Sequence, residues 1–280
     1  MSHLSQGWQT AEQRGQKSNR IPPFAPSQKE QEFYKKYCEI VSASQTLPKR
    51  ALILGATPEL RDIAINVGLE SIAVDISDKM MEKFSVLMEK QNHVLDKKII
   101  KDWLEIDFPL GYFGIIMGDA SLNNLVAIKD NERLINICHE ILAKNGYFVL
   151  RQIFYVNDYQ GYTDPKKVID DYRAGKISWE DFFMELRINS FKDKVYSPEN
   201  FQYNAGKAFA LIEEIYQDGL ITQLEYERIN TFRNNLINSF YPKDEFVKMI
   251  ESKEFKFLEE YHDNPSLFFK YLFMVAFEKV

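Results

Sequence analysis

The feature that most constrains this chain is an alternation of short apolar runs with helical stretches, which holds from residue 51 to residue 154 and then stops. Ala51-Leu52-Ile53-Leu54 is consecutively apolar and ends at Gly55, the pattern of a strand buried on both faces of a parallel sheet. Thr57 and Pro58 follow as N-cap and first helical residue, Leu60, Ile63, Ala64 and Val67 share one helical face, and Gly68 ends the helix. The same reading predicts strands at 71–76, 98–101, 113–119 and 147–154, with helices starting at Ser77 or Asp78 and spanning 131–143. Such alternation gives right-handed crossovers and a doubly wound sheet.

After residue 154 the pattern changes. Residues 162–250 read as wholly helical, with starts at Asp164-Pro165, at Ser178 with Asp181, at Ser197-Pro198, and at Thr222 with Glu225. Strand character returns at 254–261 and 267–277, and the short segment 262–266 between them suits a hairpin. Before the core, residues 1–28 are polar with a Pro-rich end, which predicts an extended arm, and Ser27 with Glu30 forms a capping box that opens a helix. The chain therefore divides into an arm and helix (1–47), a Rossmann-like core (48–161), a helical insertion (162–243), and a C-terminal helix and strand hairpin (244–280) that completes the core. The expected fold is α/β, a doubly wound seven-stranded sheet whose last strand is antiparallel.

Composition closes several function classes. Lys and Arg number 35 against 41 Asp and Glu, a net charge of −6 with no long basic run, which disfavours a nucleic-acid partner. Cys38 and Cys138 lie far apart and the four histidines are scattered, so neither a disulfide framework nor a metal site is expected. The longest apolar stretch, 271–277, is too short to span a bilayer, and the first twenty residues lack a secretory apolar core, so a cytoplasmic protein without a membrane partner is expected. Neither a Gly-x-Ser-x-Gly elbow nor a phosphate-binding Gly-x-x-x-x-Gly-Lys loop is present. Tyr162 and Lys166 have a dehydrogenase-like spacing, but Pro165 between them at a helix start rules out the shared helical face that chemistry needs.

In an open parallel sheet, ligands bind beyond the carboxyl ends of the strands. Asp75 stands there, twenty positions after Gly55, where an acidic residue accepts both hydroxyls of an adenosine ribose. Thr57, Pro58 and Glu59 fill the turn where a dinucleotide site needs glycines, and a carboxylate a few ångströms from a phosphate is repelled by roughly 4 kcal/mol at an effective dielectric near 20. That chemistry favours S-adenosylmethionine, which carries a sulfonium and an amine and no phosphate. Asp102-Trp103 after the third strand suits adenine, the carboxylate for its amino group and the indole for its face, although a turn aspartate beside a core tryptophan fits equally. Asp119 after the fourth strand faces either the cleft or its own turn. Ser121, Asn123 and Arg151 are the candidate acceptor contacts. Arg151 is read either as a clamp for an acceptor carboxylate or as a salt bridge to Asp119 or an insertion acid. Trp179, Phe182, Phe183, Phe191 and Phe201 recur at helical spacing in the insertion, as core packing or as walls of an acceptor pocket.

The segments Leu54-Gly55-Ala56-Thr57-Pro58-Glu59-Leu60, Val74-Asp75-Ile76-Ser77, Gly118-Asp119-Ala120-Ser121-Leu122 and Val149-Leu150-Arg151 together resemble the class I S-adenosylmethionine-dependent methyltransferases. Within them the chain is similar to a bacterial subgroup whose first motif reads Gly-x-Thr-Pro-Glu. It departs from the wider family at Ile53, where an acidic residue is usual, and at Thr57, where a second glycine is usual. The resemblance implies methyl transfer and makes the arm and first helix a lid, but it implies nothing firm about the acceptor; the net charge of −6, the lack of basic clustering and the aromatic insertion point to a small molecule. It implies a cofactor site lined by Gly55, Ala56, Thr57, Asp75, Ile76, Asp102, Trp103 and Asp119. It assigns no catalytic residue, because methyl transfer can proceed by positioning and desolvation alone. A cofactor-binding protein without turnover is the alternative, and an NAD-type oxidoreductase the second.

Overall fold

The computed structural model describes residues 21–155, 161–263 and 270–280. Ser27 caps α1 (Gln28–Ala43) through the expected box, with its own amide donating to the Glu30 carboxylate at 2.7 Å. The alternating region gives β1 (Arg50–Leu54), α2 (Pro58–Asn66), β2 (Glu70–Asp75), α3 (Asp78–Ser85), β3 (Asp96–Ile100), β4 (Phe113–Asp119), α4 (Ile128–Ile141) and β5 (Leu142–Ile153). The insertion follows as α5 (Pro165–Arg173), α6 (Trp179–Met184), a π turn (Glu185–Asn189), α7 (Lys192–Val195), β6 (Tyr196–Ser197), β7 (Gln202–Asn204), α8 (Ala205–Gln217), α9 (Gln223–Asn230) and β8 (Ile237–Ser239). The chain closes with α10 (Lys243–Glu251), β9 (Phe255–Tyr261) and β10 (Leu272–Lys279).

Seven strands form one sheet in the order β3-β2-β1-β4-β5-β10-β9. β1 pairs in parallel with β2 on one side and β4 on the other, while β10 runs antiparallel to both β5 and β9. The order reverses beside β1, so the carboxyl ends of β1 and β4 diverge there and open a crevice. Alternation along β1 explains its unbroken apolar run. Ala51 and Ile53 pack with α1, α2 and α3, whereas Leu52 and Leu54 pack on the opposite face with Leu134, Ile135 and Cys138 of α4. Gly114 of β4 is fixed by close approach, since a Cβ there would lie 2.3 Å from the Pro48 carbonyl oxygen.

Three expectations need correction. The insertion is not wholly helical, because β6, β7 and β8 pair into a small antiparallel sheet. Ser197-Pro198 starts no helix; α8 begins later, where the Asn204 side chain accepts from the Lys207 amide at 2.8 Å. The local start signal loses to tertiary packing, as Tyr203 is buried and stacked on Phe240 with ring centroids 4.9 Å apart. The described part of the arm is a turn and not an extended segment, with Phe24 and Ala25 amides both donating to the Ile21 carbonyl. The expected arm residues 1–20 and residues 264–266 of the hairpin loop lie outside the described residues. No helix of the described residues is long and apolar enough to cross a membrane.

Candidate functional site

A cavity of about 240 Å³ lies beyond the carboxyl edge of the sheet, between β1, β2 and β4, the N-terminal arm and the insertion. Gly55 ends β1 with φ of +117°, a conformation other residues rarely adopt, and its bare Cα leaves room for two neighbours. A Cβ there would sit 3.8 Å from Trp103 Cζ2 and 3.9 Å from Asp75 Oδ2. Asp75 is half-buried, and its Oδ1 accepts from the Ser77 amide at 2.8 Å. Burial pushes its carboxyl up to about 6 against the opposing effect of that bond. Trp103 is held in place by its indole N–H, which donates to the Val74 carbonyl at 2.6 Å. Ala56, Thr57, Met80 and Phe84 complete this end of the cavity.

Two expected residues take other roles. Asp102 caps its own 3₁₀ turn by accepting from the Leu104 amide at 2.9 Å and does not line the cavity, so the turn-aspartate alternative fits it. Ile76 is half-buried beside the cavity without lining it.

At the ends of β4 and β5 the polar residues are committed to the fold. Arg151 is buried, with Nη1 donating to Asp119 at 2.7 Å, Nη2 to the Pro23 and Ala25 carbonyls at 2.8 and 3.2 Å, and Nε 3.0 Å from Glu30 as an ion pair without hydrogen-bond alignment. Burial alone would lower its pKa, but Asp119 and Glu30 outweigh it and hold the guanidinium above its ordinary range. Glu30 is itself raised by burial against the pull of Arg151. Of the two roles expected for Arg151, the salt bridge to Asp119 is therefore the one observed; an acceptor carboxylate there would have to compete with Asp119, Glu30 and two arm carbonyls. Besides Asp119 of β4, its partners belong to the arm and α1, so Arg151 ties these two to the sheet.

Asn123 is likewise structural. Its amide donates to the Ile153 and Ser239 carbonyls at 2.9 and 2.7 Å and its carbonyl accepts from the Ile153 amide at 2.9 Å, joining β5 to β8 although it borders the cavity. Ser121 is buried away from the cavity, its Oγ without a partner among the described residues and packed where a Gly118 Cβ would be.

The far half of the cavity is built by the insertion and the arm. Phe24, Phe183 and Phe232 form a ring cluster, with centroids 4.7 Å apart for Phe24 and Phe232, 5.1 Å for Phe183 and Phe232, and 5.7 Å for Phe24 and Phe183. Ile153, Leu236, Phe240 and Leu272 add apolar wall. Of the insertion aromatics, Phe183 lines the cavity, Trp179, Phe182 and Phe191 fill the insertion core, and Phe201 packs against Tyr241 at 5.0 Å. Arg187 also lines this half and carries no sequence signal, being one arginine on a helical segment. Phe24 was equally hidden, since only the fold of the arm brings it over the sheet. Among the described residues no group of His, Cys, Asp and Glu could hold a metal ion.

Comparison with known structures places this geometry in a fold class. The CcbJ methyltransferase of Streptomyces caelestis superposes with a TM-score of 0.59 at 11% identity, covering 100% of both chains. The N-methyltransferase NodS of Bradyrhizobium japonicum, solved with S-adenosylhomocysteine, matches with a TM-score of 0.53 at 10% identity over 98% of each chain. A Rhodobacter sphaeroides protein provisionally described as a Zn-dependent alcohol dehydrogenase matches with a TM-score of 0.58 at 13% identity, over 99% of this chain and 98% of that one. The fold is thus Rossmann-like, of the kind found in class I methyltransferases. No family model and no curated protein matches the sequence.

Proposed function

We propose that this protein is an S-adenosylmethionine-dependent methyltransferase acting on a small-molecule acceptor. The observation that carries the reading is the two-ended cavity, with a Gly55–Asp75–Trp103 cradle at one end and aromatic insertion walls at the other. The cradle suits an adenosine. Asp75 Oδ2 has no donor among the described residues, so a ribose diol would supply the hydrogen bonds that a buried carboxylate otherwise lacks. Trp103, Met80 and Phe84 give an adenine apolar contact. Pro58 at the start of α2 removes a backbone donor and Glu59 adds a carboxylate in its first turn, which weighs against the pyrophosphate of NAD. When bound, the cofactor supplies an electrophilic methyl group. This chain's contribution is to orient both partners and exclude water with its lid. The methyltransferase names of CcbJ and NodS support the same reading. The two free cysteines are buried and unpaired, which accords with a reducing cytoplasm. The cavity walls favour a small acceptor over a nucleic acid.

Calorimetric titration tests this directly. S-adenosylhomocysteine binds and NAD does not, and Asp75→Ala lowers the affinity at least about tenfold with the fold intact, through loss of charge-assisted hydrogen bonds worth roughly 1.5–3 kcal/mol each. Tighter binding of NAD than of S-adenosylhomocysteine sinks the proposal.

A further inference from the structure

Among the described residues, four charged ones line the cavity: Asp75, Asp119, Arg151 and Arg187. Asp75 stands at the cradle end, and Arg151 is paired with Asp119 and Glu30. Arg187 remains. It stands on the π turn, held there by the Tyr203 hydroxyl, which donates to its carbonyl at 3.1 Å. Its guanidinium lies 5.1 Å from the Phe183 ring and 5.8 Å from the Tyr203 ring, and its one side-chain hydrogen bond among the described residues is a weak contact to Met184 Sδ at 3.5 Å. Among the described residues Nε is buried without a hydrogen-bond partner, and no carboxylate forms an ion pair with this side chain. Arg61 and Arg151, the fully buried arginines, each hold a carboxylate. A partly desolvated guanidinium without a counter-charge is costly, and ring contacts offset only part of that cost.

We propose that the acceptor is an aromatic carboxylate, with its ring against Phe24, Phe183 and Phe232 and its carboxylate on Arg187. The proposal rests on the methyltransferase reading and names the acceptor class for the same cavity. A single uncompensated positive charge calls for a monoanion, and the planar guanidinium fork matches a carboxylate through two parallel hydrogen bonds. The three clustered rings offer flat apolar surface, on which an aromatic ring packs in offset or edge-on geometry. The π turn agrees with a binding role, since such turns recur at functional sites. The cofactor's own carboxylate has the same chemistry, so the test separates the two sources.

The test is calorimetry on protein saturated with S-adenosylhomocysteine, titrated with phenylacetate and indole-3-acetate and with their neutral amides. Wild type binds the carboxylates at least about tenfold tighter than the amides. Arg187→Met, checked for an unchanged melting temperature, erases that preference while S-adenosylhomocysteine affinity stays within about twofold, and Arg187→Lys restores part of it. Equal binding of acids and amides by wild type, no binding of either, or a preference that survives Arg187→Met overturns the proposal. So does a tenfold loss of S-adenosylhomocysteine in Arg187→Met, which would give the guanidinium to the cofactor. If wild type takes up no S-adenosylhomocysteine yet still selects acids over amides through Arg187, the methyltransferase reading fails and the anion site stands.

Discussion

Asp75 sets two opposing demands on one carboxylate. In the ligand-free protein its carboxyl is pushed up to about 6 by burial, above the ordinary 3.8. The folded state therefore binds this proton more tightly than the unfolded chain, and the group's contribution to stability falls as pH rises from about 4 to about 6 and stays lost above. Ribose binding needs the ionised form, so cofactor affinity has the reverse dependence. We expect S-adenosylhomocysteine affinity to be flat above pH 7 and to fall below about pH 6, approaching tenfold per unit. Asp75→Asn keeps an acceptor for the Ser77 amide, removes the ionisation, and melts higher than wild type at pH 7.5 while losing the cofactor. Calorimetry between pH 5 and 8 checks both statements; a wild-type affinity that does not change across that range contradicts the role given to Asp75.

Among the elements, the attachment of the arm and α1 depends on one arginine from the sheet. Arg151 of β5 joins Glu30 of α1, Asp119 of β4 and two carbonyls of the arm, and Tyr34 of α1 adds a bond from its hydroxyl to the Gly118 carbonyl at 2.6 Å. Arg151→Met would leave two buried acids facing each other without a counter-charge. The expected cost is about 3–5 kcal/mol, read from the urea midpoint, with faster proteolysis within residues 21–27 as the arm is released. Glu30→Gln keeps an acceptor for the capping box and a neutral partner for Arg151, so its loss is smaller. Equal stability of Arg151→Met and wild type would show that the network does not hold the lid.

Across the whole molecule, sheet and insertion share their packing. Tyr271 and Leu272, at the start of antiparallel β10, belong to the same apolar cluster as α5, α6 and α8. Asn189 of the π turn donates to the Tyr271 hydroxyl, and Asn123 ties β8 to the end of β5. The insertion is thereby braced on two neighbouring strands, β5 and β10, and its unfolding would strip the carboxyl edge of the sheet of its cover. We expect one cooperative transition, with far-UV circular dichroism and tryptophan fluorescence coinciding. Phe182, fully buried and stacked on Tyr172 at 4.4 Å, provides the probe. Phe182→Ala should cost roughly 3–5 kcal/mol and move the whole transition without splitting it. A separate early phase in fluorescence would mark the insertion as an independent unit.

The sequence by itself determined what local chemistry and periodicity can encode. The apolar run before Gly55, the Thr57-Pro58 start, the capping boxes at Ser27 and Thr222, and the offset from Gly55 to Asp75 are short-range signals, and each reappears in the fold. The antiparallel β10 was legible because a short connection between consecutive strands favours a hairpin. Tertiary structure decided wherever a residue's role depends on a partner distant in sequence. Arg151 and Glu30 are 121 positions apart, and only closure of the arm turns a possible ligand clamp into a lid tie. Asn123 became a brace because β8 arrives beside it, and β6 and β7 formed where Ser197-Pro198 signals a helix because strand pairing and Tyr203 burial outweighed that signal. Arg187 stands out for the same reason. Its residue type is unremarkable in sequence, and that it has no counter-charge among the described residues is seen only once the acids around it are placed in three dimensions.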